Sequence, residues 1–299
     1  MTCRESTTRS DDSARFGCQT QPILSLKTSL ELNLIKLTLS VEKPNVPLTK
    51  ESVIEEYSTV FKGFGNLEGE VSIQLKENAT PKIHPPRRVP YALKDRVKEE
   101  LDKMEKLEVI EKVTEPTDWV NSLVIAEKPN GKLRLCLDPK DLNEAIKRPH
   151  YSTKTLEEAL AEMPNDKCFS KLDAQSGYWQ LKLDKKSSYL TTFNTPHGRY
   201  KFNRLPFGLV CAQDYFQMKM DQIFEGITGV TPLVDDILIS GKTRSEHDEN
   251  LRKALDRAQE RNLKLNADKL TVGVQEVEYF GHLVISEGLN PDPAKLMLS

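Results

Sequence analysis

Residues 233–239 read LVDDILI: two adjacent acids, Asp235 and Asp236, stand between two apolar, strand-like runs. The pattern predicts a hairpin with buried flanks and a doubly charged tip. An isolated Asp-Asp pair is usually a solvated turn, because Asp tolerates turn geometry. A second stretch argues for more. Residues 169–178, FSKLDAQSGY, form an apolar strand that ends in Asp173 and then runs through Ser176 and Gly177 to Tyr178. If both strands deliver their acids to one end of one sheet, carboxylate oxygens gather where two hard divalent cations about 3.5–4 Å apart can stabilise both oxygens of an in-line phosphoryl displacement.

Outward from these stretches, residues 212–224 predict a helix, and residues 245–261 predict another that carries Leu251, Ala254, Leu255 and Ala258. Thr155 with Glu158 is a capping-box signature, opening a helix that presents Leu156, Ala159, Leu160 and Met163. The apolar runs 123–126 and 133–137, joined by KPNG at 128–131, predict a hairpin. Leu93, Val97, Leu101, Met104 and Leu107 recur at helical spacing and predict a helix packed on one side. Glycines early and Pro81, Pro85, Pro86 and Pro90 late predict that residues 63–90 are an extended segment crossing a surface rather than a packed element. Val53, Ile54, Tyr57 and Phe61 predict a helix from Thr49, and Pro44, Asn45 and Pro47 set a boundary near residue 45. Residues 30–41 alternate as a half-buried strand does, with a helix as the alternative before Leu34. Strand, helix, hairpin, helix is the order of an α+β fold with helices on one face of an antiparallel sheet.

The 299 residues are 37% hydrophobic, enough for one large or two modest domains with a core. With 29% charged residues and no apolar run near the roughly 18 residues a bilayer helix needs, a membrane span is excluded. Forty-three Lys and Arg against 45 Asp and Glu leave a net charge of -2, so any signal for a polyanionic partner must be local. It is: residues 128–154 hold seven bases and three acids, and Arg199, Lys201 and Arg204 form a second basic stripe. Cys3, Cys18, Cys136, Cys168 and Cys211 include no CxxC and read as reduced thiols of an intracellular chain. Residues 1–22 have no apolar segment and cannot be a secretory signal.

The blocks KPNGKLRLCLDPKDLN (128–143), FSKLDAQSGYWQL (169–181), RLPFGL (204–209) and VDDILISG (234–241), in that order, resemble a reverse transcriptase of the Ty3/gypsy class of long-terminal-repeat retrotransposons. The resemblance spans roughly residues 46–295 and includes HPPRRVP (84–90) and TEPTDWVNSLV (114–124). It implies the fingers and palm of a right-hand polymerase, the palm an antiparallel sheet backed by helices. It also implies that Asp173, Asp235 and Asp236 are the catalytic carboxylates that hold two Mg²⁺ ions, with Mn²⁺ as the alternative. Lys128 and Arg134 would clamp the triphosphate, Ser176 and Gly177 would face it with backbone N–H groups, and Phe207 would pack over the incoming nucleotide. Tyr178 would reject a 2′-hydroxyl by collision, Tyr279, Phe280 and Gly281 would grip the primer end, and Lys269 is the candidate general acid.

The same resemblance divides the chain into a disordered tail (1–22), a remnant similar to the C-terminal end of a retroviral-type aspartic protease (23–45), a connector (46–90), and fingers and palm (91–299) truncated before thumb, connection and ribonuclease H. No Asp-Thr/Ser-Gly triplet occurs, so no protease activity is expected. The implied function is an RNA-directed DNA polymerase that adds dNTPs to a primer 3′-hydroxyl on an RNA or DNA template, acting in a cytoplasmic virus-like particle or the nucleus, with no membrane partner and no oligomeric state specified. One rival is a catalytically weak or inactive remnant that binds nucleic acid or protein. Another is a two-metal nuclease, which would have no use for Tyr178 or Phe207. The chain departs from the family at Leu233, Pro139-Lys140 and residues 213–215, where Asp214 is expected to set a negative charge near the nucleotide and weaken its binding.

Overall fold

Thr49 opens the first helix, α1 (Lys50–Glu56), through a reciprocal cap: its hydroxyl accepts from Ser52 N–H while Ser52 Oγ accepts from Thr49 N–H. The expected continuous helix breaks at Tyr57, and Ser58–Phe61 adds one more turn. The computed structural model describes residues 47–291 except 128–130, 132, 162, 164, 235, 280–281 and 286–287. The expected tail and protease-like segment lie outside those residues.

Residues 63–90 are extended, as their prolines require, but the first half is packed. Leu67, Val71 and Ile73 are buried, and Glu70–Val71 pairs in parallel with Lys182–Leu183. The expected surface crossing is corrected there: burial of those three apolar side chains outweighs the glycine and proline signals around them.

In α2 (Lys94–Lys106) the expected stripe buries Val97, Leu101 and Met104. Strands β1 (Ser122–Glu127) and β2 (Leu133–Asp138) pair antiparallel as the predicted hairpin. Helix α3 (Lys140–Ala145) follows, and then α4 (Leu156–Ala161), whose entry has the predicted box: Thr155 N–H donates to Glu158 Oε2 and Glu158 N–H to Thr155 Oγ1. Strand β3 (Cys168–Asp173) leads through α5 (Lys185–Leu190) to a hairpin of β4 (Phe193–Thr195) and β5 (Gly198–Phe202) that the sequence reading did not anticipate. Next come α6 (Ala212–Phe224), β6 (Val230–Leu233), β7 (Asp236–Gly241) and α7 (Arg244–Glu260). Last are β8 (Thr271–Val274), β9 (Val277–Tyr279), β10 (His282–Ile285) and β11 (Gly288–Pro291).

The central sheet has the order β8-β3-β7-β6 and is antiparallel throughout. Side chains alternate along each strand, so the sheet has two distinct faces. Leu172, Ile237 and Ile239 pack with Phe216 and Met220 of α6 and Leu251 and Leu255 of α7. Phe169, Leu233 and Leu238 pack on the other side with Met163, Val277, Tyr279 and Val284. Each buried Leu or Ile contributes roughly 1.5–3 kcal/mol. A one-residue slip would reverse both faces at once, so this burial fixes the register and hence the facing of Asp173 and Asp236.

Candidate active site

Asp173 closes β3, Asp236 opens β7, and the register makes them direct cross-strand partners. Both lie on the face away from α6 and α7. Asp173 is 5% exposed, and Lys269 Nζ stands 2.7 Å from its Oδ2. Lys171, two residues before Asp173 on the same face, stands 3.7 Å from Asp236 Oδ2. Burial pushes the Asp236 carboxyl above its usual range, Asp173 adds to the push, and Lys171 opposes it. Two sheltered carboxylates with lysine counter-charges are a donor set that suits a hard cation. Among the described residues no trio of His, Cys, Asp or Glu gathers as a metal site, and Asp235 is not one of those residues.

The turn before Asp236 is tight, since Leu233 and Asp236 pair directly. Val234 sits at φ +55°, a left-handed conformation that costs a β-branched residue on the order of 1–3 kcal/mol. Gln217 of α6, 2% exposed, brackets this turn: its Oε1 accepts from Val234 N–H at 2.6 Å and its Nε2 donates to Pro232 O at 3.0 Å. Sequence reasoning missed Gln217 and Lys171. The available signal was a glutamine in the apolar period of Phe216 and Met220, and a lysine between the strand residues Ser170 and Leu172.

Beyond Asp173 the chain turns through Ser176, at φ +50°, into the 3₁₀ turn Gly177–Gln180. Gly177 is needed for close packing, because a Cβ there would lie 2.6 Å from Phe216 Cζ. The Tyr178 ring lies 4.9 Å from that of Phe207 and 5.3 Å from that of Phe216. The Arg134 guanidinium stacks 4.1 Å over Phe207, so Arg134, Tyr178 and Phe207 form one cluster although they come from β2, the 3₁₀ turn and a loop. Tyr279 is fully buried and donates to Thr231 O at 3.2 Å. Lys128, Asp235, Phe280 and Gly281 lie outside the described residues.

Two expectations are corrected. Asp214 is 2% exposed and accepts two bonds from Arg148, at 2.6 and 3.0 Å, so its charge is neutralised internally and is not presented to a nucleotide. Two of the three bases in the second stripe are not on the surface, and only Arg199 stays partly exposed. Lys201 is buried against Glu111 at 2.9 Å, and Arg204 is buried with bonds to Gly65 O and Asn66 Oδ1.

A family model described as reverse transcriptase (RNA-dependent DNA polymerase) matches residues 126–284, more than half of the chain. The chain is 32% identical over 244 residues to the uncharacterised protein K02A2.6 of Caenorhabditis elegans, covering 80% of this chain and 19% of that protein. It is 29% identical over 279 residues to the retrovirus-related Pol polyprotein from transposon 412 of Drosophila melanogaster, covering 87% and 22%. It thus spans about a fifth of the length of these relatives. The foamy viral protease-reverse transcriptase in complex with an RNA/DNA hybrid matches with a TM-score of 0.74 at 19% identity, over 89% of this chain and 39% of that one. That likeness carries the expected polymerase fold. Among the described residues no helix is long and apolar enough to cross a membrane.

Proposed function

The chain belongs to the reverse transcriptase family, and from that premise we propose that it adds deoxynucleotides to a primer 3′-hydroxyl opposite an RNA or DNA template. The observation that carries the reading is the cross-strand pair Asp173–Asp236 at the end of a sheet sealed by helices on its other face, five residues before the aromatic of the Arg134–Phe207–Tyr178 cluster. In the reaction the primer oxygen bonds to the α-phosphorus, loses its proton, and the diphosphate leaves.

Asp173, Asp235 and Asp236 would hold two Mg²⁺ ions, or Mn²⁺ in their place, because the acceptor-only carboxylates of Asp173 and Asp236 meet on a sheltered face and suit a hard divalent cation. Bound there, such ions stabilise the attacking and leaving oxygens. Arg134 and Lys128 would pair with the triphosphate, and the Ser176 and Gly177 N–H groups would face it. Phe207 would pack on the nucleotide, and Tyr178 would exclude a 2′-hydroxyl. Lys269, already within hydrogen-bond reach of Asp173, is the candidate to give the leaving diphosphate a proton. Phe280 and Gly281 would hold the primer end, and Tyr279, fully buried, would anchor the strand that leads to them. The Pol relative and the sequence blocks support a Ty3/gypsy-type element whose residues 23–45 derive from a protease, acting in a cytoplasmic particle or the nucleus.

The test is extension of an end-labelled primer on an RNA template by the purified chain with Mg²⁺ and dNTPs. A ladder of longer products is expected. Binding without extension in a folded chain would leave the inactive nucleic-acid-binding remnant, and shortening of the primer would leave the nuclease.

A further inference from the structure

Three polar side chains outside the carboxylate site form a chain that ends on the turn between β6 and β7. Besides its two bonds to the turn, Gln217 Nε2 donates to Asp221 Oδ1 at 2.9 Å, one helical turn further along α6. The other oxygen of Asp221 accepts from Tyr151 O–H at 2.8 Å. Tyr151 belongs to the segment after α3 that also carries the exposed Lys147 and Arg148.

An amide is not symmetric: its oxygen only accepts and its nitrogen only donates. Asp221 and Pro232 O are both acceptors, so they hold the NH₂ group of Gln217 toward themselves and leave Oε1 facing Val234 N–H. A half-turn of the amide would set oxygen against two acceptors and nitrogen against a donor, and all three bonds would be lost. Val234, in its left-handed conformation, needs that acceptor.

We propose that Tyr151 and Asp221 are positioning residues that fix the amide of Gln217 and, through it, the backbone of Pro232 and Val234 ahead of Asp236. The kinetic part of the proposal rests on the polymerase reading; the structural part does not. The chain ties the segment that carries Lys147 and Arg148 to the turn that leads into Asp236, two places 80 residues or so apart in sequence.

Two variants test it. Asp221→Asn keeps the shape but offers one acceptor where two are used, and Tyr151→Phe removes only a hydroxyl. Amide hydrogen exchange at Val234 is expected to quicken about tenfold in Asp221→Asn and about threefold in Tyr151→Phe, the scale of one net hydrogen bond, with no change at Leu251 in α7. The kcat for single-nucleotide addition is expected to fall by similar factors, with KM for the dNTP and Kd for primer–template unchanged and the double variant no worse than Asp221→Asn. Unchanged exchange at Val234 overturns the proposal, as does equal acceleration at Leu251, or local acceleration at parental kcat. If Asp221→Asn does not fold, Tyr151→Phe alone decides. If the parent extends no primer, the polymerase reading fails, and exchange at Val234 still decides whether the positioning chain exists.

Discussion

Asp236 is a strand residue driven toward its neutral form by burial and by Asp173 directly opposite. A carboxyl whose pKa is raised on folding is penalised when charged, so the penalty is present at neutral pH and is relieved as pH falls through the raised value. Asp236→Asn is therefore expected to raise the cation-free thermal midpoint by a few degrees at neutral pH, with the gain fading in acid, while primer extension is lost. Melting curves from acid to neutral pH check this; a variant that melts lower at neutral pH would contradict it. Tyr178 makes a different prediction. Exclusion by collision discriminates without new attraction, so trimming the colliding group should admit the rejected substrate more than it harms the accepted one. Tyr178→Val should raise kcat/KM for an rNTP relative to its dNTP by about tenfold or more, and an unchanged ratio in an active variant would remove Tyr178 from the nucleotide site. The acids at strand ends were legible in the sequence because apolar flanks made them odd. Asp214 was misjudged because its partner, Arg148, stands 66 residues away, and Gln217 was silent because its partners at the turn are backbone atoms.

Elements were legible where one period dominated. Helix α6 has the predicted bounds because Phe216, Met220, Ile223 and Phe224 carry its apolar period past the buried Asp214 and Gln217, and α4 begins where its capping box does. The β4–β5 hairpin was hidden because Lys201 lies between its buried aromatics, Tyr200 and Phe202, with Arg204 just beyond, and the two bases drew the reading toward surface charge. The 3₁₀ turn after β3 packs closely on α6 at Gly177. An added methyl at residue 177 must displace the Phe216 ring and also meets Ala174 Cβ at 3.3 Å. Gly177→Ala is expected to destabilise the chain by about 1–3 kcal/mol, the usual scale of overpacking. Phe216→Leu in the same chain should recover part of that loss by shortening the opposing side chain. Urea unfolding of the two single variants and the double variant measures the coupling; strictly additive losses would show that the turn and α6 do not meet through this contact.

At the scale of the whole molecule, a net charge of -2 gives no general attraction to a polyanion, so any affinity for nucleic acid must come from a local array of bases. The structure narrows that array. Lys201 and Arg204 are consumed inside the fold, and Arg148 is committed to Asp214. Lys140 and Lys147 are exposed, and Lys147 lines an open cleft of about 1120 Å³ together with Lys76, Lys82, Arg148 and Tyr215. Phosphate contacts release condensed counterions, so the logarithm of affinity falls linearly with the logarithm of salt, by roughly 0.7–0.9 for each phosphate neutralised. Lys140→Ala and Lys147→Ala are each expected to reduce the slope for primer–template binding by about one and to weaken all sequences alike. Lys201→Met should leave the slope unchanged, because that ammonium is spent on Glu111. Filter-binding titrations across a salt series separate these cases. A slope that falls with Lys201→Met but not with the two exposed lysines would move the binding face to the neighbourhood of Lys201, whereas no salt-dependent binding by the parent would remove nucleic acid as the partner altogether and leave a role in binding protein.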